Sequence, residues 1–244
     1  ADGTTKEVRF TILGTNDAAT IGDLSPATVT EDLSVALNQL RVSGTLSVVD
    51  IDQNQSVFQT AVTGASDNLG TLVLAVNGSY TYSVANAAVQ YLGAADSKIE
   101  SFTVQSFDGT QKLEQVTIFG VNDAAVIGDL PVASVTEDLA VVADQLYARG
   151  TISITDVDQN QSSFQTVVDS AVGNLGALTL ATDGQYTYSV ANAAVQYLGA
   201  LDTKLETFTV TSFDGTTKTE QVTIHGVNDV ALITGPVANT VTED

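Results

Sequence analysis

The 244-residue sequence contains no cysteine, methionine or tryptophan, and it has only three prolines and one histidine. Without cysteine the chain forms neither disulfides nor thiolate ligands for a metal, and a zinc site would rest on a single histidine. No apolar run is long enough to cross a bilayer, and no signal peptide is recognisable. These absences exclude thiol chemistry, a structural zinc site and direct membrane insertion from the predicted functions.

Basic residues are scarce as well, with 8 Lys and Arg against 29 Asp and Glu and a formal net charge of −21. Nucleic acids and anionic membranes attract cationic surfaces, so DNA, RNA and lipid are excluded as predicted partners. Disorder is common in acidic chains, but 43% of these residues are hydrophobic and many alternate as they do in strands. We therefore predict a folded, acidic, extracellular protein.

The sequence repeats with a period of 106 residues, which separates the pairs Asn16-Asp17, Asn122-Asp123 and Asn228-Asp229. The two full copies align without a gap, and about two thirds of their positions are identical. We predict two tandem domains, at 17–122 and 123–228. Residues 2–12 match 108–118, and the letters VTED at 241–244 match 29–32. Residues 1–16 are therefore predicted to be the last hairpin of a preceding repeat and 229–244 the start of a following one, within a longer array.

Alternating hydrophobic residues and turn dipeptides predict the secondary structure. In TLVLAVNGSYTYSV (71–84) the alternation continues on both sides of Asn77-Gly78, which predicts a hairpin with a two-residue type I′ turn. A second hairpin is predicted around Asp108-Gly109, further strands at 27–32 and 44–50, and a short helical turn within 85–94. About seven strands per repeat predict an all-β fold of tandem antiparallel sandwiches, Ig-like and Greek-key in type.

Acidic residues recur at the ends of these predicted strands. Asp50 and Asp52 follow one strand directly, and Asp156 and Asp158 repeat the pattern in the second copy. Ca²⁺ takes six to eight oxygen ligands, and two short carboxylates beside a turn can supply some of them. Each Asn-Asp pair adds amide, carboxylate and carbonyl oxygens, and the SFDGT turns add Asp108 and Asp214 at the same predicted end. The pattern predicts a calcium site.

Structural alternatives stay open for several of these residues. Asp-Gly and Asn-Gly are turn formers, so Asp108 and Asp214 have a turn role as an alternative to calcium binding. The Asn-Asp pair could be an Asx-turn that only redirects the chain. The VTED segment could guard an exposed edge strand with solvated charge.

The letters GTNDAA, VTED, YTYSV…LGA and FTVQSFDGT resemble the VCBS-type repeats of very large bacterial RTX adhesins, which are cadherin-like domains. The resemblance covers essentially the whole sequence. It implies a cadherin-like Greek-key sandwich, export by a type I system, and calcium bound where one repeat meets the next. One or two ions per junction are predicted, because the linker reads VNDAA where a cadherin has a second Asn.

The resemblance also implies which residues bind calcium. At the junction of the two full repeats the implied ligands are Asn122, Asp123, Asp156, Asp158 and Asp214, with Glu31 from the first repeat. Above the first repeat they are Asn16, Asp17, Asp50, Asp52 and Asp108. A third, partial site has Glu137, Asn228 and Asp229.

Catalysis has little support in the sequence. The single histidine, His225, aligns with Phe119 in the other copy, and no tryptophan platform accompanies the paired carboxylates that a glycosidase would need. We predict that the protein is not an enzyme. Two functions remain: a calcium-stiffened spacer on the bacterial cell surface whose partners are neighbouring repeats of the same chain, or a module that itself binds a carbohydrate or a protein. Near-identical repetition favours the spacer, because added copies add length, and the sequence identifies no adhesive target.

Overall fold

The computed structural model describes residues 2–235, which divide into two compact units at 2–122 and 123–235. Both units are nearly all-β, and each has the same order of strands. The predicted class, tandem β-sandwiches with one short helical turn each, is confirmed. No helix among residues 2–235 has the length and hydrophobicity needed to cross a membrane.

Nine strands form among the described residues of each unit. In the first unit they are β1 (Thr20–Ile21), β2 (Thr28–Thr30), β3 (Gln39–Thr45), β4 (Val48–Val49), β5 (Thr63–Gly64), β6 (Thr71–Leu74), β7 (Ser79–Ala85), β8 (Ser97–Gln105) and β9 (Gln111–Phe119). In the second unit they are β10 (Val126–Ile127), β11 (Ser134–Thr136), β12 (Gln145–Thr151), β13 (Ile154–Thr155), β14 (Asp169–Ser170), β15 (Ala177–Leu180), β16 (Gln185–Ala191), β17 (Thr203–Thr211) and β18 (Thr217–His225). The single helical turns, at Asn86–Ala88 and Asn192–Ala194, are of the 3₁₀ type.

Each unit is a sandwich of a four-stranded and a three-stranded sheet. In the first unit the strand orders are β2-β9-β8-β5 and β3-β7-β6, and β1 and β4 form a separate two-stranded pair. The strand pairs are antiparallel except β2 and β9, which run parallel. The second unit repeats this arrangement with β11-β18-β17-β14 and β12-β16-β15. The four-stranded sheet of each unit is therefore mixed, whereas the three-stranded sheet is antiparallel as predicted.

The core of each unit lies between its two sheets. Strand β7 buries Tyr80, Tyr82 and Val84 at alternate positions, and strand β8 buries Phe102 and Val104. The rings of Tyr82 and Phe102 meet edge to face with centroids 5.9 Å apart. This geometry is favourable for aromatic pairs, and it joins the two sheets at the centre of the core.

The hairpin predicted over 71–84 is present as β6 and β7, but the predicted type I′ turn is wrong. Gly78 has a φ of 84°, whereas Asn77 is not among the residues with positive φ. The Ala75 amide donates to the Ser79 carbonyl (2.8 Å), which leaves a three-residue loop. The Leu46 amide donates to the Gly78 carbonyl (2.8 Å), so a contact far away in sequence determines this turn. The strand predicted over 44–50 is divided, because β3 ends at Thr45 and β4 covers only Val48–Val49.

Residues 2–19 form no strand, although 1–16 are predicted to be the last hairpin of a preceding repeat. Phe10 and Ile12 are 87% and 95% exposed. The residues that align with them lie in β9 and β18, which pair with β8 and β17. Because β8 and β17 already pair with these strands, neither is available as a partner for Phe10 and Ile12. A single strand without a neighbour has no ladder of hydrogen bonds to stabilise it. The VTED letters at 241–244, predicted to start a following repeat, lie outside the described residues.

Candidate metal centre

One end of the first unit brings together five of the predicted ligands from three separate segments. The loop after β4 carries Asp50 and Asp52, the turn between β8 and β9 carries Asp108, and Asn16-Asp17 precedes β1. The Asp17 amide donates to Oδ2 of Asp52 (2.9 Å). The Asn16 side-chain amide donates to Oδ2 of Asp108 (3.4 Å). The Asn-Asp segment is thus hydrogen-bonded to both acidic turns.

The loop after β4 holds Asp50 by contacts within the loop. The amide of Asp52 donates to Oδ1 of Asp50 (2.8 Å), and the amide of Asp50 donates to the Ser56 hydroxyl (2.9 Å). Oδ2 of Asp50 is buried and has no hydrogen-bond partner among the described residues. A buried carboxylate oxygen without a donor is costly, and a cation beside it would offset that cost. This oxygen therefore fits a metal ligand.

Asp108 has a structural role in its turn. Its carboxylate accepts hydrogen bonds from the Ser106 hydroxyl, the Thr110 amide (3.1 Å), the Thr110 hydroxyl (2.8 Å) and the Ala19 amide (3.2 Å). The Ser106 hydroxyl and the Thr110 amide hold the pKa of Asp108 well below its ordinary value, because they stabilise the ionised form. Of the two alternatives for this residue, the turn role is present, and the contact with Ala19 also attaches the entering chain.

The second unit repeats the arrangement with its own residues. The amide of Asp123 donates to Oδ2 of Asp158 (3.1 Å), and the amide of Asp158 donates to Oδ1 of Asp156 (2.9 Å). The Ala125 amide donates to Oδ2 of Asp214 (3.3 Å). Oδ2 of Asp156 is buried without a hydrogen-bond partner in the described part of the chain, as in Asp50. The unsatisfied oxygen is therefore shared by both copies.

The predicted glutamates lie at the other end of each unit. In the first unit Glu31 is fully buried, and it accepts from the Gln90 side chain (2.7 Å) and the Val121 amide (3.2 Å). Strand β9 runs nine residues from near Asp108 to this end, about 27 Å. Glu31 is therefore not part of the Asp50 cluster of its own unit. Its burial shows that the edge-guard interpretation is wrong for this residue.

The third, partial set also has a buried glutamate that accepts a backbone amide two residues before an aspartate. Glu137 is fully buried, and its Oε2 accepts from the Val227 amide (3.0 Å). Its Oε1 is buried without a hydrogen-bond partner among residues 2–235. Asn228 and Asp229 follow directly and are exposed, with the Asn228 side chain donating to the Asp229 carbonyl (3.0 Å). The structure thus places the buried glutamate beside an Asn-Asp segment in this unit.

Within residues 2–235, no three or more His, Asp or Glu side chains form a group arranged to hold a metal ion. Several of the clustered aspartates instead use oxygens to accept backbone N–H groups, as Asp52 and Asp108 do in the first unit. The oxygens that suit a hard cation here include amide and carbonyl groups as well as carboxylates. This donor set is typical of calcium and atypical of zinc.

Sequence reasoning missed two pairs of buried carboxylates. Glu100 is fully buried, and it accepts hydrogen bonds from the Tyr82 hydroxyl (2.8 Å), the Gly70 amide (3.0 Å) and the Leu69 amide. Glu206 repeats this role in the second unit. The alternation of β8 carried a signal, because Glu100 is in phase with the inward residue Phe102.

The second missed pair is Glu114 and Glu220, which are 4% and 5% exposed. Glu114 accepts from the Leu24 amide (3.0 Å) and lies 3.3 Å from the Lys112 ammonium group. Lys112 also contacts Asp23, which raises the pKa of this lysine. These contacts join β9 to the segment between β1 and β2.

Comparisons with known proteins agree with this geometry. Residues 122–228 match the family model described as the bacterial cadherin-like domain. Among curated proteins, no sequence matches this chain. The fold of the second copy is thus assigned by a sequence family as well as by its strands.

Several solved cadherin structures are similar to this chain. The protocadherin gamma B7 EC3–6 cis-dimer structure matches with a TM-score of 0.50 and 12% identity over 88% of this chain and 48% of that one. A PcdhgB3 EC1–4 structure has a TM-score of 0.47 and 12% identity, covering 87% of this chain and 50% of its own. A structure of mouse clustered PcdhgC3 EC1–3 has a TM-score of 0.41 and 14% identity, with 85% and 67% covered. The chain spans about half the length of the first two. The second copy therefore matches the model of the bacterial cadherin-like domain, and the chain has a β-sandwich fold similar to that of cadherin repeats.

Proposed function

We propose that the two units are calcium-stiffened spacer repeats of a giant secreted bacterial adhesin. They extend the protein from the cell surface, so that ligand-binding domains elsewhere in it reach their target. Cadherin-like domains are an adhesion-type, non-enzymatic family. Export by a type I system and membership of the VCBS-type RTX adhesins belong to the same proposal.

One observation carries the proposal: each unit presents the same acidic end to the segment by which the chain enters it. In both units a backbone amide of the Asn-Asp segment donates to the second aspartate of the D-x-D loop. In both units the first aspartate of that loop, Asp50 or Asp156, has a buried and unsatisfied Oδ2. Folded without a cation, this end holds like charges close together in a chain of net charge −21.

The proposed calcium ligands follow from this arrangement. In the first unit they are Asn16, Asp17, Asp50, Asp52 and Asp108, and in the second they are Asn122, Asp123, Asp156, Asp158 and Asp214. Glu31 and Glu137 are proposed as the glutamates that complete the sites adjoining Asn122-Asp123 and Asn228-Asp229. Bound calcium would offset the negative charge of these clustered carboxylates. The aspartate carboxylates of the two turns position the entering segment by accepting hydrogen bonds from its backbone amides.

Calorimetric titration of calcium into the chelated full chain tests the proposal by counting bound ions. Binding to the native state stabilises it by about 2.7 kcal/mol at a hundredfold excess over the dissociation constant, so calcium is expected to raise the melting temperature by several degrees. Hydrogen exchange is expected to slow at residues 120–125 when calcium is added, because the segment becomes ordered. The matched control is Asp67→Asn, which removes one exposed carboxylate elsewhere on the first unit.

A calcium-free sample that shows no heat of binding and no change in melting temperature on adding calcium would rule out the calcium role. Binding and stabilisation without any change in exchange at residues 120–125 would leave calcium bound but remove the stiffening.

A further inference from the structure

The outward face of the three-stranded sheet in the second unit carries an open groove of about 530 Å³. Strands β12, β16 and β15 place Arg149, Thr187 and Thr179 in one row, because Arg149 and Thr179 both pair with Thr187. Thr151 and Gln185 are cross-strand partners in the next row. Adjacent strands lie about 4.8 Å apart, so the row presents hydrogen-bonding groups over about 10 Å.

Arg149 is the positive charge of this groove. It is exposed and forms no ion pair with any described carboxylate, although the chain as a whole is strongly acidic. Its guanidinium lies 4.5 Å from the centroid of the Tyr147 ring, two residues earlier on the same face of β12. Stacking on the ring restrains the side chain and leaves its N–H groups available to a ligand.

The two copies differ at the polar positions of this groove. Six of its nine lining residues are identical in the first unit. The other three are Arg149, Thr179 and Gln185, where the first unit has Ser43, Val73 and Ser79. Each difference gives the second unit a larger or more polar hydrogen-bonding group. Because the first unit forms the same sheet without them, the fold does not require these groups.

Asp183 adds one negative charge beside the groove. Its Oδ2 accepts from the Gln185 side-chain amide (2.8 Å), which leaves the Gln185 carbonyl oxygen as an acceptor. The Thr179 hydroxyl donates to the Thr187 carbonyl (3.1 Å), and its oxygen also remains able to accept. The groove therefore offers one cation, one anion and several neutral hydrogen-bonding groups. A ligand that carries one carboxylate flanked by hydroxyls is complementary to this set.

We propose that the groove binds an acidic oligosaccharide through one uronate residue. The uronate carboxylate pairs with the Arg149 guanidinium in the planar, two-bond geometry that arginine favours. Sugar hydroxyls donate to the Asp183 carboxylate and the Gln185 carbonyl, and they exchange hydrogen bonds with the threonines. A polyacidic peptide suits the groove less well, because its acidic side chains place no hydroxyl donor beside the carboxylate to satisfy Asp183. This inference does not depend on the calcium sites.

The test is an NMR titration of the full chain with tetragalacturonate in excess chelator, since uronates themselves bind calcium. Maltotetraose is the neutral control and tetraglutamate the peptide control. We expect shift changes at the groove residues of the second unit with tetragalacturonate only. Arg149→Ser is expected to weaken binding by at least about tenfold.

The first unit supplies the matched variants. Changing Arg149, Thr179 and Gln185 together to Ser, Val and Ser uses residues that the same sheet already accommodates, so loss of binding reports the groove and not the fold. The reciprocal change of Ser43, Val73 and Ser79 to Arg, Thr and Gln is expected to create a second site when Arg41→Tyr and Asn77→Asp are added, because they supply the counterparts of Tyr147 and Asp183. Equal affinity of wild type and Arg149→Ser for tetragalacturonate, or no binding at all, would overturn the proposal. Equal or tighter binding of tetraglutamate would overturn it in favour of an acidic peptide.

Discussion

The hydroxyl of Tyr82 donates to Oε2 of Glu100 at 2.8 Å, between the two sheets of the first unit. Tyr188 and Glu206 make the same bond at the same distance in the second unit. Each glutamate also accepts backbone amides from the loop that precedes β6 or β15. A buried carboxylate is thus satisfied by neutral donors alone, and it joins a loop to the centre of the sandwich.

We predict that Glu100→Ala destabilises the first unit by about 3 kcal/mol, because it leaves the Tyr82 hydroxyl and two amides without their acceptor. Tyr82→Phe is expected to cost about 2 kcal/mol, as for other hydrogen bonds to a charged group. Urea unfolding of the single and double variants forms a double-mutant cycle, in which the double variant should cost less than the sum. Simple additivity would show that the two side chains do not interact.

Asparagine at positions 50 and 156 tests the role of the negative charge, because its side chain has nearly the same shape as aspartate. The double variant Asp50→Asn with Asp156→Asn keeps the acceptor for the following loop amide but removes the charge from the unsatisfied Oδ2. In chelator we expect a melting temperature equal to or above that of wild type, because less charge is buried. In calcium the stabilisation seen for wild type should be lost. Asp67→Asn, the exposed control, should retain it, and a variant that still responds fully to calcium would contradict the assignment.

Two glycines of the first unit with positive φ are predicted to respond differently to alanine. A Cβ on Gly78 would lie 2.1 Å from the Leu46 carbonyl oxygen, whereas at Gly109 the nearest atom is the flexible Gln105 side-chain nitrogen at 3.4 Å. Gly109→Ala is expected to cost about 1 to 2 kcal/mol for the left-handed backbone alone. Gly78→Ala should cost at least about 3 kcal/mol, because the backbone must also move. Equal losses in urea unfolding would show that the Leu46 contact is not rigid.

Four of the seven tyrosines are expected to ionise at a higher pH than a free tyrosine does. Burial raises the pKa of Tyr82 and Tyr188, and the adjacent glutamates raise it further. Burial also raises the pKa of Tyr80 and Tyr186. Since the folded-state pKa values exceed the unfolded ones, this contribution to stability is complete below pH ~10 and is lost as the pH rises above it.

Absorbance at 295 nm, followed together with circular dichroism, measures this ionisation. Four phenols should ionise only as the native signal disappears, while urea-unfolded protein should ionise all seven near pH 10. Ionisation of all seven tyrosines with an intact native spectrum would contradict the burial argument.

Much of the fold could be predicted because the strands have one buried face. The alternation in 71–84 predicted β6 and β7 correctly, and the SFDGT turn marked the hairpin of β8 and β9. The turn at Asn77-Gly78 could not be predicted from its own letters, because the Leu46 amide, about thirty residues away, fixes the Gly78 carbonyl. The parallel pairing of β2 with β9 also depends on which sheet the chain joins after β1.

The candidate site was predictable to the same limited degree. The position of Asp50 and Asp52 after a strand correctly placed them near the Asn-Asp segment and Asp108. Which oxygens already accept hydrogen bonds was not predictable. The Ala19 amide, which donates a hydrogen bond to the Asp108 carboxylate, lies 89 residues away in sequence. Whether the assembled oxygens bind calcium remains a prediction.

The parallel pair of β2 and β9 has a mechanical consequence. Strand β2 lies near the point where the chain enters the first unit, and β9 leads to the point where it departs. Their contact includes bonds from the Thr117 amide to the Ala27 carbonyl and from the Glu31 amide to the Phe119 carbonyl, each 2.9 Å long. Tension on the chain would pull these two strands past each other along their length. The bonds would then be loaded in shear and would have to break together, so the unit should resist force better than a hairpin that unzips one bond at a time.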